Sequence, residues 1–385
     1  MTDPVQRLLA DIETLVRCES PSSDLAAVAR SADTLARLGS ERLGVAPDVI
    51  VRDGRTHLRW RLGDPAAPAR VLLLGHHDTV WPPGSLQTHP CAISGNVLRG
   101  PGCFDMKAGV VLALHAAAAL ADPTGVTLLV TGDEELGSPS SRELIETDAA
   151  GCAAALVLEA SADGGALKTE RKGVSLYEVA AEGRAAHAGL EPERGVNASL
   201  ELAHQLLAVA SLGDAQRGTT VTPTSLSAGT TTNTVPARGR FAVDVRVRDA
   251  VEQQRVDAAM RALSPVLPGA EVVVTGGPNR PPLEAAASAA LFARATRIAG
   301  ALGLAPLRSA AVGGASDGNF TAGVGTPTLD GLGAVGGGAH ADDEHVLIDE
   351  LPGRLALLTA LLADLLAPAR SGATNPAAAS GVTQP

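Results

Sequence analysis

Three apolar segments of the chain end abruptly in charged or histidine side chains, and this feature constrains the fold most. "VLLLGHHDTV" (71–80) ends in His76, His77 and Asp78, "VTLLVTGDEELGS" (126–138) in Asp133, Glu134 and Glu135, and "AALVLEAS" (154–161) in Glu159. A helix-like stretch, 107–120, separates the first two segments, and alternating strands and helices predict an α/β layer with parallel pairing. Because open α/β sheets place their sites at the carboxyl ends of strands, we expect these side chains to form one site.

The first segment has two interpretations. Alternate residues of a strand share a face, so His76 and Asp78 point together and His77 points away. A histidine with a nearby carboxylate suits metal binding, since one ring nitrogen ligates and the carboxylate orients the ring through the other. The same pair is also compatible with a histidine that only caps the strand and pairs with Asp78.

The other two segments are ambiguous when taken singly. Adjacent glutamates such as Glu134 and Glu135 are typical of a solvated helix start. Glu159, the single charge closing an apolar run, is a residue type that is seldom buried without a partner. Three separate strands that each deliver a metal-type ligand favour a shared metal site over three coincidences.

Two further residues extend this cluster. Asp105 in "RGPGCFDMKAGV" (99–110) precedes a helix, and it is either an ordinary helix cap or a carboxylate that bridges two cations. His340 lies in the glycine-rich "GLGAVGGGAHADDEHV" (331–346), where His345 is a competitor.

The proposed cluster is strongly acidic. Five converging carboxylates would repel one another, and some would have to protonate, unless cations were bound; they are Asp78, Asp105, Glu134, Glu135 and Glu159. Two divalent ions would remove this conflict. Histidine and carboxylate ligands without cysteine suit a catalytic zinc site, although Co²⁺ and Mn²⁺ stay open.

Composition excludes several classes of protein. The 385 residues carry 31 Lys and Arg against 42 Asp and Glu, a formal charge of −11 that argues against a nucleic-acid partner. The four cysteines include no C-x-x-C pair, which fits a reducing compartment. We find no signal peptide and no apolar stretch long enough to cross a membrane, so we expect a cytoplasmic protein.

Length and the order of the patterns predict two domains, one inserted in the other. We expect a catalytic domain in two parts, 1–173 and 280–368, and an inserted α+β unit over 174–279. A tail rich in Ala, Pro and Ser, 369–385, is expected to be disordered.

Five motifs in this order make the chain resemble a known family. "GHHDTV", "GPGCFDMKAG", "TGDEELGS", "LEAS" and "GGGAH" are similar to motifs of the di-zinc aminoacylase and glutamate carboxypeptidase family, which includes acetylornithine deacetylase and succinyl-diaminopimelate desuccinylase. The resemblance spans about residues 70 to 350 and is closest to the glutamate carboxypeptidase branch. It implies an α/β di-zinc exopeptidase fold with a mixed, largely parallel sheet, and it makes 174–279 a dimerisation or lid domain.

The resemblance also assigns roles in the acidic cluster. His76 and Glu159 would hold one zinc, Glu135 and His340 the other, and Asp105 would bridge them. Asp78 would orient His76. Glu134 would be the general base that takes a proton from a water shared by the two ions and passes it to the departing amine.

Four residues from His187 onward would serve the substrate. His187 in "GRAAHAGLEPERGVNA" (183–198) would reach the active site of a partner subunit and stabilise the oxyanion; a surface histidine in a turn is the plain alternative. Asn233 and Arg246 would bind substrate, although Arg246 alternates with Asp244 and Arg248 as in an exposed ionic ladder. Arg280 is a further candidate contact for a carboxylate.

The expected activity is therefore zinc-dependent hydrolysis of an amide bond. A homodimer would release a C-terminal amino acid, with glutamate as one candidate, from a small peptide or an N-acyl amino acid that has a free carboxylate. The alternative is an N-acyl-amino-acid deacylase of the deacetylase or desuccinylase type. A third possibility is a non-catalytic relative, which would have no need of an unligated base such as Glu134.

Overall fold

The computed structural model describes residues 4–64 and 66–367. The predicted tail, 369–385, lies outside the described residues. The helices of the described part are α1 (Pro4–Val16), α2 (Leu25–Leu43), α3 (Ser85–Thr88), α4 (Ala108–Ala118), α5 (Arg142–Ala149), α6 (Ala198–Ala210), α7 (Ala250–Arg261), α8 (Ala285–Ala301), α9 (Gly318–Gly323) and α10 (Leu351–Leu366).

The strands of the same residues are β1 (Asp48–Arg52), β2 (Arg55–Arg61), β3 (Val71–His76), β4 (Ala92–Ser94), β5 (Val97–Arg99), β6 (Val126–Thr131), β7 (Ala154–Val157), β8 (Leu167–Arg171), β9 (Gly173–Glu182), β10 (Ala186–His187), β11 (Thr220–Ala228), β12 (Thr234–Val235), β13 (Arg238–Val247), β14 (Glu271–Arg280), β15 (Ser309–Val312), β16 (Thr328–Leu329), β17 (Gly336–Gly337) and β18 (His345–Leu347).

The largest sheet has six strands in the order β1-β2-β6-β3-β7-β16. Its strands β6, β3, β7 and β16 run parallel, whereas β1 and β2 join antiparallel at one edge. Strand β3 is buried on both faces: Leu73 packs with the core around α4, and Leu72 and Leu74 pack with the core around α5. Helices on both faces explain why the segment is apolar throughout, and the prediction of an α/β fold with a mixed, largely parallel sheet is confirmed.

A second, antiparallel sheet lies between the two halves of this layer in the chain. Its strands follow the order β11-β13-β9-β14, and α6 and α7 pack against it. It has a hydrophobic core of its own, which includes Val179, Leu202 and Phe241. These elements run from residue 173 to 280, and the domain boundaries at 174 and 279 stay a prediction.

Strand β14 is longer than the sequence indicates. The "GGPNR" segment predicts a loop after Thr275, but β14 continues to Arg280. Gly276 makes this possible, because it has φ +83° and a Cβ there would lie 2.1 Å from the carbonyl oxygen of Leu176 on β9. Glycine adopts such a φ without strain. The strand therefore brings Arg280 to Glu134, which follows β6 of the larger sheet.

Helix α6 begins later than its apolar pattern suggests. The pattern predicts a start at Gly195, whereas the helix starts at Ala198. Asn197 caps it by accepting hydrogen bonds from the N–H groups of Ser199 and Leu200. Among residues 4–64 and 66–367, none of the helices combines the length and the apolar character that crossing a bilayer requires.

Candidate metal centre and active site

The parallel strands bring the three predicted strand ends together. His76 is the last residue of β3, Glu159 follows β7 by two residues, and Glu134 and Glu135 follow β6. Because β3 pairs in parallel with both β6 and β7, all three strands end at the same edge. His76 is 1% exposed, so its imidazole is delivered to the site by a fully buried strand.

One group of possible metal ligands contains His76, Asp105 and Glu159. Nε2 of His76 lies 3.3 Å from Oδ1 of Asp105 and 3.6 Å from Oε1 of Glu159. Nδ1 of His76 lies 3.0 Å from the backbone carbonyl of Asp78. Since a carbonyl oxygen can only accept, Nδ1 carries the ring proton and Nε2 keeps its lone pair for a ligand.

A second group contains Asp105, Glu135 and His340. Nε2 of His340 lies 3.2 Å from Oε2 of Glu135 and 3.3 Å from Oδ2 of Asp105. The two oxygens of Asp105 therefore face two different histidines. His345 instead directs Nδ1 to the backbone carbonyl of Asp343, at 2.8 Å.

The donor set fits two divalent cations. Three buried atoms, Nε2 of His76, Oδ1 of Asp105 and Oε1 of Glu135, have no hydrogen-bond partner among the residues that the structure describes. In each group the ligand atoms lie within 4.8 Å of one another. Buried polar atoms of this kind are costly unless something binds them. Imidazole and carboxylate donors are those that catalytic zinc takes.

The charges of the site also favour bound cations. Hydrogen bonds from His340 to Asp105 and Glu135 raise the pKa of His340 to about 10. Burial opposes the charged form of His76, yet Asp105, Asp78 and Glu159 raise its pKa well above the ordinary value. The carboxylates thus favour positive charge beside Nε2 of both histidines, and bound cations would supply that charge without a proton on Nε2.

Asp78 connects His76 with the turn that follows β6. Its Oδ1 lies 3.4 Å from Nδ1 of His76, and its oxygens accept hydrogen bonds from the N–H groups of Glu134 and Glu135, at 3.2 and 3.3 Å. The hydroxyl of Ser22 donates to the same carboxylate at 2.6 Å. Asp78 is fully buried, and it fixes the imidazole and the two glutamates relative to each other.

Glu134 belongs to neither group of possible ligands. Its Oε1 lies 2.9 Å from Nη2 of Arg280. Burial raises the pKa of Glu134 well above the ordinary value, and the charge of Arg280 opposes the rise. Arg280 also donates to Ser138 at 2.8 Å and to Asp317 at 3.1 Å, so its guanidinium is held at the edge of the site.

Three predicted substrate-binding residues of the inserted segment, His187, Asn233 and Arg246, lie apart from these contacts. His187 is exposed on β10, which pairs with β12, and the carbonyl of Asn233 accepts the N–H of Ala188 at 2.9 Å. His187 and Asn233 are therefore neighbours. Arg246 pairs with Asp244 through two hydrogen bonds of 2.8 and 2.9 Å. This is the geometry of an exposed ionic ladder, the alternative to a substrate-binding role.

Residues near the cluster that have no role in it are also accounted for. His77 points away as predicted, and its Nε2 donates to the carbonyl of Thr56 at 3.0 Å. The carboxylate of Asp133 accepts from Ser140 and Ser141 and stabilises the turn. Burial raises the pKa of the Cys103 thiol well above the ordinary value, which disfavours a thiolate nucleophile.

Sequence reasoning missed two buried carboxylates. Glu344 accepts three backbone hydrogen bonds in the turn that carries Asp105, and Asp317 binds Arg280, Ser138 and Thr131. Glu344 lies in the run "DDE", whose pattern is that of a solvated surface, so the sequence carries no signal for its burial.

An α/β sheet with imidazole and carboxylate donors gathered at its carboxyl edge is the architecture of a metal-dependent hydrolase. Comparison with known proteins makes this specific. Residues 72–364 match the Peptidase family M20/M25/M40, and the chain belongs to this family. It is thus a hydrolase of the metallopeptidase class, as predicted.

Two curated relatives and two solved structures show the range of the similarity. The chain is 29% identical to carboxypeptidase G2 of Pseudomonas sp. (strain RS-16), over 94% of this chain and 90% of the relative. It is 31% identical to succinyl-diaminopimelate desuccinylase of Paracoccus denitrificans, over 64% of this chain and 69% of the relative.

Among solved structures, a tripeptidase of Staphylococcus aureus matches with a TM-score of 0.71 at 21% identity, covering 94% of this chain and 98% of that one. An M20 family metallo-carboxypeptidase of Sulfolobus solfataricus matches with a TM-score of 0.68 at 17% identity, covering 94% and 99%. At these identities the structures support the fold alone, and they confirm it.

Proposed function

We propose that this protein hydrolyses the amide bond that links a C-terminal amino acid to a peptide or acyl group. The observation that carries the proposal is that the two adjacent glutamates after β6 have different surroundings. Glu135 joins His340 and Asp105, while its neighbour Glu134 stays outside both groups of possible ligands. A buried carboxylate beside two metal positions, and not needed as a ligand, is placed for proton transfer.

Two cations would be held by the two groups that share Asp105, with zinc as the proposed metal and Co²⁺ or Mn²⁺ as alternatives. When bound, they would polarise the amide carbonyl and lower the pKa of water. Glu134 then accepts a proton from the attacking water on a carboxylate oxygen and delivers it to the leaving nitrogen. Asp78 holds the His76 ring and the backbone of Glu134 in position throughout.

Arg280 is the proposed contact for the free carboxylate of the substrate. A guanidinium offers paired N–H donors that match two carboxylate oxygens. Nη2 is already bonded to Glu134 and Asp317, so the substrate would bind the remaining nitrogen or displace Glu134. This placement would set the carboxylate of the substrate close to the general base.

His187 and Asn233 are proposed to act on the active site of a second copy of the chain. They are neighbours, and the N–H of Gly189 donates to Nδ1 of His187 at 3.1 Å. In the neutral ring the proton then lies on Nε2, where it can be donated to an oxyanion. Both are exposed, as residues offered to a partner must be.

The surface proposed for the second copy consists of α6 and the edge strand β11. On α6, Leu200 and Leu207 are 55% and 70% exposed, and on the neighbouring β11 Leu226 is 58% exposed. Strand β11 ends the second sheet, so its outer backbone groups are unpaired within that sheet. An apolar helix face beside an open strand edge suits self-pairing about a two-fold axis.

A substrate panel tests the function. The metal-loaded protein is incubated with dipeptides, N-acyl glutamates, N-acetylornithine and N-succinyl-diaminopimelate, and the products are identified by mass spectrometry. We expect release of a C-terminal amino acid from the first two groups. Turnover confined to the last two substrates would establish the deacylase alternative, which the Paracoccus relative represents. No turnover of any member would overturn both.

Light scattering tests the dimer. Leu207→Asp places a charge in the proposed interface and should shift the protein to monomers at micromolar concentration. Val251→Asp, at a position on α7 that is 69% exposed, is the matched control and should leave the dimer intact. A wild-type protein that is monomeric and fully active would contradict the role given to His187.

A further inference from the structure

The carboxylate of Glu344 is buried against the backbone of Asp105, the proposed bridging ligand. Glu344 is 3% exposed, and each of its oxygens accepts two hydrogen bonds. Oε1 accepts from the N–H groups of Phe104 and Asp105, at 2.9 and 3.0 Å. Oε2 accepts from the N–H of Gly102 at 2.9 Å and from the indole N–H of Trp81 at 2.6 Å.

The turn before Asp105 requires this acceptor. Gly102 has φ +70°, and a Cβ at this position would lie 2.4 Å from Cγ2 of Thr79, so the backbone is tightly packed here. The turn directs three N–H groups to one point. Buried N–H groups that lack an acceptor cost free energy, and Glu344 supplies the acceptor for all three.

Glu344 also connects the two chain segments that supply Asp105 and His340 to the second group of possible ligands. It lies four residues after His340, in the same loop, and it binds the backbone of Asp105 itself. The two groups of possible ligands differ in how rigidly the chain holds them. His76 and Glu159 are fixed by the buried strands β3 and β7, whereas His340 lies in a loop with its side chain 49% exposed.

We propose that Glu344 positions Asp105 relative to His340 and thereby sets the affinity of the metal position formed by Asp105, Glu135 and His340. The inference rests on the proposed two-metal function, since it concerns the ligands of one of the two ions. Glu344 belongs to neither group of possible ligands, and its oxygens accept from the N–H groups of the turn and of Trp81. It acts through the backbone that holds the bridging carboxylate, and such outer partners typically change metal affinity 10- to 100-fold.

The test is zinc binding by Glu344→Gln, which keeps the size of the side chain but turns an amide N–H₂ towards backbone donors. The protein is dialysed against buffered free zinc, and bound metal is counted by mass spectrometry. We expect the weaker dissociation constant to rise about 10-fold or more and the tighter one to change less than about 3-fold. Asp342→Asn is the matched control, because this neighbouring carboxylate is 93% exposed; both of its constants should equal those of the wild type.

A second variant keeps the test decisive if Glu344→Gln does not fold. Trp81→Phe removes one of the four hydrogen bonds to Glu344 and leaves the backbone donors in place. It should weaken the same single position by a smaller factor, about 2- to 5-fold, corresponding to part of the effect of a lost outer partner. The inference is overturned if either folded variant binds both ions as the wild type does, or if both positions weaken equally.

These outcomes are separable from failure of the proposed function. A wild-type protein that holds two ions and hydrolyses amides, with variants that also hold both, removes only the role of Glu344. A wild-type protein that holds less than two ions removes the two-metal function and the role of Glu344 with it.

Discussion

The candidate metal cluster and the exposed residues His187 and Asn233 of the inserted segment are built in opposite ways. In the cluster, buried strands end in His76 and beside Glu159, and the side chains already face one another at 3.3 to 3.6 Å. In the inserted segment, His187 on β10 pairs with Thr234, the neighbour of Asn233, and neither His187 nor Asn233 forms a described contact with the cluster. The ligands proposed for the first region all come from one chain, whereas the second region is proposed to act on another copy of the chain.

The largest expected effect is that of a substitution in the candidate metal cluster. Glu134→Gln removes the proposed base and keeps the shape of the side chain, so kcat should fall about 100-fold or more. Bound zinc should stay unchanged, because Glu134 belongs to neither ligand group. Steady-state kinetics with metal analysis measures both. Activity within 10-fold of the wild type would remove Glu134 from the mechanism.

A mixing experiment tests whether the second region acts on a partner. His187→Ala alone should lower kcat by about 100- to 1,000-fold, as expected for a lost oxyanion donor. When Glu134→Gln and His187→Ala chains are mixed, a mixed dimer has one site with an intact Glu134 and an intact His187 from the other chain. Activity should therefore recover. If His187 acted within its own chain, the activity of the mixture would not exceed the average of the two variants.

Arg280 lies between the two regions, and we expect its substitution to have an intermediate effect on the kinetics. Arg280→Lys keeps the charge but loses the paired donors, so KM should rise about 10-fold, near the value of one charge-assisted hydrogen bond, with a smaller change in kcat. Kinetics on substrates with and without the free carboxylate measure this. An equal loss on both substrates would assign Arg280 to structure, through its bonds to Asp317 and Ser138.

The smallest effect concerns Arg246. Its side chain and that of Asp244 are 34% and 30% exposed, so their ion pair contributes about 1 kcal/mol or less to stability. If Arg246 binds substrate, Arg246→Gln raises KM and Asp244→Asn does not. Equal and negligible changes would leave the pair as a surface salt bridge.

Much of the cluster could be predicted because its signals are local. An apolar strand that ends in a histidine or carboxylate is visible in the sequence, and parallel pairing gathers such ends without further information. The family motifs then assign a role to each residue. The buried strands, the α/β class and the family are confirmed, and the individual roles stay predictions.

The features that were missed depend on long-range contacts. Glu344 is buried only because a turn 240 residues earlier in the chain directs its N–H groups at it. Likewise, Arg280 reaches Glu134 because β14 continues past two glycines that resemble the start of a loop. Neither burial nor the length of that strand is encoded in the local pattern.

The central claim is that the two ligand groups hold two divalent ions through a shared Asp105. Its most direct test is the zinc content of the protein purified without chelators and dialysed against buffered zinc, compared with that of His340→Ala. The account predicts about two equivalents for the wild type and about one for the variant, since His340 belongs to only one group. Less than one equivalent in the wild type, or equal contents in the two proteins, would contradict it.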